Sequence, residues 1–124
     1  MTVRAPSAIW QEDSAVLHVV LSGDDGRRPT RTVSLSLLCW VNLDSAGEVC
    51  GVDVHDLPPE LTDAISNYTG DDIIGRTLVN DGWLWIPLSG NSTQRRHTGV
   101  ADIDLVLDEE GLAALAVRFE RKPH

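Results

Sequence analysis

Val52-Asp53-Val54-His55-Asp56 sets a carboxylate and an imidazole two residues apart inside an apolar run. Alternate side chains of a strand share one face, so Asp53 and His55 fall side by side, an arrangement suited to taking a proton from a bound group. The same pattern describes the solvated end of a strand, and both readings stand at this level. Trp40, Trp83 and Trp85 fall on the same strand parity as this pair. Each indole removes roughly 150–250 Å² from water when covered, so three left bare forfeit several kcal/mol. A helix, a second subunit or a ligand groove with acidic walls is therefore expected to cover them. Two arginine pairs complete the set, Arg27-Arg28 and Arg95-Arg96, the second followed by His97. A guanidinium fork matches a carboxylate or phosphate bidentately, so the pairs are candidates for an anion clamp. Neutralisation of Asp24, Asp25, Asp102 and Asp104 is the simpler alternative for them.

Other chemistries leave no trace. His18, His55, His97 and His124 show no metal-ligand spacing, so no metal site is expected. A nucleophile elbow, a phosphate loop and a dinucleotide glycine fingerprint are all missing, and no cofactor is expected. Ten Lys and Arg against nineteen Asp and Glu leave a formal net charge of −9, which repels nucleic acid and favours a cationic ligand. No apolar run approaches the roughly 20 residues that span a bilayer, and the first ten residues do not read as a secretory signal. A cytoplasmic protein with no membrane partner is the expectation. Cys39 and Cys50 each sit in an apolar strand-like run and read as buried free thiols.

The elements that must position these groups occur twice. "LSGDDGRRPTRTV" from Leu21 and "LSGNSTQRRHTGV" from Leu88 repeat one motif with paired arginines near its end. Apolar strands precede both ("VLHVVL", "WLWIPL"), and longer strands follow both, each reaching Leu-Asp at a glycine-containing turn before a third strand. The expected fold is α+β and mainly antiparallel β: two repeated three-stranded meanders, about 9–56 and 73–121, joined by one short helix at about 57–70. These make a single domain over residues 1–124. Alternation assigns Val33, Leu35, Leu37, Cys39, Val41 and Leu43, with Cys50, Val52 and Val54, to a core face. In the second unit Leu84, Ile86, Leu88, Ile103, Leu105, Leu107, Leu115, Val117 and Phe119 are their counterparts. Pro58 and Pro59 open the helix, Leu61, Ile65 and Tyr68 line it, and Gly70 stops it. Asn80-Asp81-Gly82 signals a hairpin joining a strand at Ile73–Val79 to the Trp83 strand, and Pro87 argues that the latter is an edge.

Trp10, Leu17, Val19 and Leu21, then Asn42, Asp44, Gly47, Val49, Gly51, Val52 and Val54, resemble in spacing a widespread small bacterial domain of unknown function, the YuzE-like family. Gln11 stands where that family usually has Asp, and His18 where an aromatic is common. The resemblance covers about the first half of the chain and implies a compact β-rich fold, with no catalytic residue to carry over. In size, composition and cofactor independence the chain also looks somewhat like the lysinoalanine-forming cyclases of cinnamycin-type lanthipeptides. That likeness implies a cofactor-free enzyme that folds a small lysine-containing peptide and assists addition of the lysine amine to dehydroalanine. Asp53 or His55 would then assist proton transfer, the tryptophans would hold the peptide, and the arginines would steady an oxyanion. A non-catalytic peptide- or protein-binding module, such as an immunity protein or antitoxin, is the alternative. The two Trp-bearing faces lead to the expectation of a homodimer.

Overall fold

The computed structural model describes residues 7–21, 31–65, 69–108 and 111–119. Its strands are β1 (Ser7–Gln11), β2 (Val16–Val20), β3 (Arg31–Leu43), β4 (Val49–Val54), β5 (Leu78–Asn80), β6 (Trp83–Pro87), β7 (Arg95–Asp108) and β8 (Gly111–Phe119). One helix, α1 (Pro59–Ala64), lies between β4 and β5. The eight strands form one antiparallel sheet in the order β1-β2-β8-β7-β3-β4-β6-β5. Its centre is the long β3–β7 pair, in register from Arg31 against Leu107 to Leu43 against Arg95.

The class expected from alternation is therefore present, but the meanders are not. β2 pairs with β8 instead of β3, and β6 pairs with β4 instead of β7. Only a tight loop forces its flanking strands to pair, and the segments between β2 and β3 and between β6 and β7 are too long to do so. Each first strand is thereby free to cross to the far group and bury its apolar side in the common core. The order reads the same reversed when β1–β4 and β5–β8 are exchanged, and the exchange centres on Leu35 opposite Ile103. On either side of that point a serine hydroxyl donates to a facing carboxylate: Ser34 to Asp104 and Ser36 to Asp102, each at 2.6 Å.

Period-two alternation sorts the side chains as the sequence predicts. Cys39, Val41, Leu43, Val52, Val54, Leu84, Ile86, Ile103, Leu105, Leu107, Leu115, Val117 and Phe119 are buried together with Leu17 and Val19. Val33, Leu35, Leu37 and Leu88 are only partly buried and pack against this core. Leu57, Leu61 and Ile65 place α1 and its flanks on the same face. The helix is shorter than the 57–70 expected: Ile65 turns extended, at φ −96° and ψ 120°, and ends it. Tyr68 falls outside the described residues. Both thiols are free and buried, and burial pushes the Cys39 thiol up to about 12.

The hairpin at Asp81-Gly82 forms, with φ of 50° and 81° at its two central residues, which suits the mirror-image turns that join strands. The strand before it is much shorter than Ile73–Val79, since Ile74 and Gly75 turn instead. Pro87 does not mark an edge either: β6 is flanked by β4 and β5. The Leu88 amide donates to the Cys50 carbonyl at 2.9 Å, so the nitrogen of residue 87 faces the opposite side, past the end of β5. No ladder bond is lost there, which is why a proline is tolerated.

Candidate functional site

The face opposite the core gathers most of the chemistry-bearing residues on β3, β4 and β6. Strand register puts Trp40 beside Asp53, Asp53 beside Trp85, and Trp85 beside Leu78. His55 follows one pleat further along β4, its amide donating to the Leu38 carbonyl at 2.9 Å. Its ring lies 4.5 Å from that of Trp40 and stacks on Trp83 at 5.9 Å with an interplanar angle of 9°. The Arg96 guanidinium sits 4.8 Å from the centre of the Trp40 ring, so cation, indole, imidazole and indole make one run of contacts.

Beneath this run is a relay of hydrogen bonds. Arg96 Nε donates to Asn42 Oδ1 at 2.7 Å, and Asn42 Nδ2 donates to Asp53 Oδ2 at 3.2 Å. Asn42 and Asp53 are each only 5% exposed, although both lie on the outer parity. Gly51 lies against the relay: a Cβ there would stand in ordinary contact, 3.4 Å from Asn42 Nδ2 and 3.6 Å from Trp85 Nε1. The relay satisfies one oxygen of Asp53. Its other oxygen, Oδ1, and Nε2 of His55 are buried with no hydrogen-bond partner among the described residues. Leaving a buried polar atom unpaired costs about 1–3 kcal/mol, so two such atoms on one face call for a partner or a compensating role.

Beside the pair, Leu78, Val79, Asn80, Trp83 and Trp85 line a hollow of about 220 Å³. Trp83 is the most open of these indoles, at 44% exposure. Among the described residues the cluster has no counterpart in the other half of the sheet. β8, which takes the place of β4 when the halves are exchanged, turns Ala114, Ala116 and Arg118 to this face.

The Arg95–Arg96 pair is divided between the two faces of the sheet. Arg95 and Arg96 open β7 instead of closing a loop, so adjacent side chains are sent to opposite faces. Arg96 joins Trp40, whereas Arg95 reaches Glu12 at 2.6 Å. The hydrogen bond from Arg95, with a further one from the Trp10 indole, holds the Glu12 carboxyl down to about 2. His97 packs between Trp10 and Phe119, with ring centres 5.2 and 4.4 Å away, at the rim of the core. Arg27 and Arg28 lie outside the described residues. Asp102 and Asp104 accept the serine bonds described above, and Asp104 meets Arg118 at 3.5 Å.

Six of the candidates are thus brought together: Asp53, His55, Trp40, Trp83, Trp85 and Arg96. Asn42 is the member that motif reading missed. Its outer parity beside Trp40, as a polar residue within "CWVNLD", was the available signal. Among the described residues no three His, Cys, Asp or Glu side chains converge as metal ligands, and no helix is long and apolar enough to cross a membrane. Comparison with protein-family models, with curated proteins and with solved structures finds no match to this chain.

Proposed function

We propose that the outer-face cluster binds the side-chain amine of a lysine in a small peptide and promotes its addition to a dehydroalanine, a cofactor-free lysinoalanine-type cyclisation. The observation behind this reading is the pair of buried polar atoms with no partner among the described residues, Asp53 Oδ1 and His55 Nε2, walled by indoles. An ammonium group supplies N–H donors to a carboxylate and a positive charge to aromatic faces, and the acidic chain as a whole attracts it.

In the reaction the lysine ammonium first gives a proton to the Asp53–His55 pair. The freed nitrogen lone pair forms a bond to the β-carbon of dehydroalanine, and the alkene π pair moves onto the carbonyl as an enolate. The second N–H proton is released to the pair as one returns to the α-carbon, and the proton still held by the pair passes to the product's secondary amine, so the addition conserves all atoms, resets the pair and needs no oxidant. Arg96, beside Trp40, stands nearest to steady the enolate oxygen. Positioning of two reactants within one peptide supplies most of the rate. In the same reading the chain is a duplicated unit whose halves exchange first strands; the reversible strand order and the two facing Ser–Asp bonds support that ancestry.

Because the addition is mass-neutral, it is followed by the disappearance of thiol-reactive dehydroalanine together with loss of the free lysine amine. Asp53→Asn removes the charge and keeps the shape, and is expected to slow cyclisation at least a hundredfold. An unchanged rate in a folded Asp53→Asn protein overturns the catalytic role.

A second reading, a non-catalytic protein-binding face or homodimer contact, is favoured by one further observation. Leu38, Trp83 and Val100 are 37%, 44% and 53% exposed on that same face. Sedimentation of the wild-type chain beside Val100→Lys separates it: a dimer that dissociates in the variant supports it, and a wild-type monomer rejects the dimer.

A further inference from the structure

Resting on the lysine reading of the outer face, the geometry points to an adjoining subsite: we infer that the hollow lined by Leu78, Asn80, Trp83 and Trp85 takes one aliphatic side chain placed two residues from the lysine. The preferred ligand is then a peptide of the form Lys-x-aliphatic or its reverse.

The hollow, at about 220 Å³, is smaller than the roughly 300 Å³ at which pockets begin to hold a drug-sized molecule. A single side chain fits that scale. Its walls are two indoles and the Leu78 side chain, which would strip the water from a charged group without replacing its hydrogen bonds. Asn80 is exposed at the rim, and its amide offers both a donor and an acceptor to a peptide backbone.

Two of the walls also belong to the amine site. Trp83 stacks on His55, and Trp85 is in register with Asp53. The hollow therefore adjoins the amine site through these two shared indoles, although Asp53 and His55 do not themselves line it. Strands of a sheet lie about 4.8 Å apart, so a point between β6 and β5 is roughly 7 Å from Asp53 on β4. In an extended peptide, side chains two residues apart point the same way at about that separation. A peptide crossing the strands thus sets its lysine over Asp53 and His55 while the second side chain drops between Trp83, Trp85 and Leu78.

The test uses the full chain and end-blocked pentapeptides: Gly-Lys-Gly-Leu-Gly, the same peptide with Ser for Leu, and the same peptide with norleucine for Lys. Binding is followed by NMR titration of the indole N–H signals. The Leu peptide is expected to bind about tenfold more tightly than the Ser peptide, from the apolar area of one buried side chain. Leu78→Glu is expected to abolish that preference and leave the preference for lysine over norleucine in place. Leu78→Ala, a milder change should Leu78→Glu unfold, is expected to reduce it severalfold. Equal affinities for the Leu and Ser peptides, with lysine still preferred, overturn the subsite alone. A Leu preference that survives both Leu78 variants overturns it too. Loss of the lysine preference in the wild-type protein overturns the reading on which the subsite rests.

Discussion

Asp53 is held from one side only. Asn42 orients its Oδ2, Arg96 orients Asn42, and Oδ1 is left unpaired within the buried layer. Asn42→Ala would strand the second oxygen as well and is expected to cost about 1–3 kcal/mol in denaturant unfolding, whereas Asn42→Asp places a second carboxylate against Asp53 and is expected to cost more. Glu12 offers a test at a different place. Its hydrogen bond from Arg95 holds it down to about 2 from an ordinary value of 4.5. A carboxylate depressed in the folded state adds stability that is complete above its unfolded value and is lost as pH falls through its folded one. Acid titration of the Glu12 side-chain carboxyl carbon by NMR is expected to give a midpoint near 2, rising in Arg95→Ala but held below the normal carboxylate value by the remaining hydrogen bond from the Trp10 indole. The effect on unfolding is expected to be slight, since both side chains are 53% exposed and solvent screens them.

Among the elements, the β5–β6 hairpin decides whether the tryptophans of β6 meet β4 at all. Its turn needs positive φ at Asp81 and Gly82, and a Cβ on Gly82 would approach the Leu57 carbonyl oxygen to 3.3 Å. The Leu57 amide also donates to the Gly82 carbonyl at 2.8 Å, tying the hairpin to the segment before α1. Gly82→Ala combines a disfavoured backbone with a tight contact and is expected to lower stability by about 1–3 kcal/mol, as read by thermal unfolding. The strands themselves were legible because their inner faces are nearly pure aliphatics at period two. Their lengths were less so. "DDIIGRTLVN" has the composition of a strand from Ile73, yet Gly75 takes φ 76° and only Leu78–Asn80 pairs. The turn at Leu43-Asp44 was legible for a local reason: Asp44 Oδ1 accepts the amides of Ala46 and Glu48 at 2.9 and 3.0 Å.

For the whole molecule, the pairing of β2 with β8 and of β3 with β7 makes the sheet depend on contacts far apart in the chain. β2 must find β8, with Leu17 against Val117, and β3 must find β7. Such closure is slow, so refolding followed by tryptophan fluorescence is expected in the millisecond-to-second range and not in microseconds. Alternation needs only neighbouring residues, and so the antiparallel class, the buried parity and the outward set of Trp40, Asp53, His55, Trp83 and Trp85 could be read from the chain. Which strands become neighbours depends on long-range pairing energy, which no local pattern records when the loops are long. That pairing set Asn42 between Arg96 and Asp53, gave Arg95 its partner Glu12, and enclosed an aspartate oxygen and an imidazole nitrogen beside the indoles.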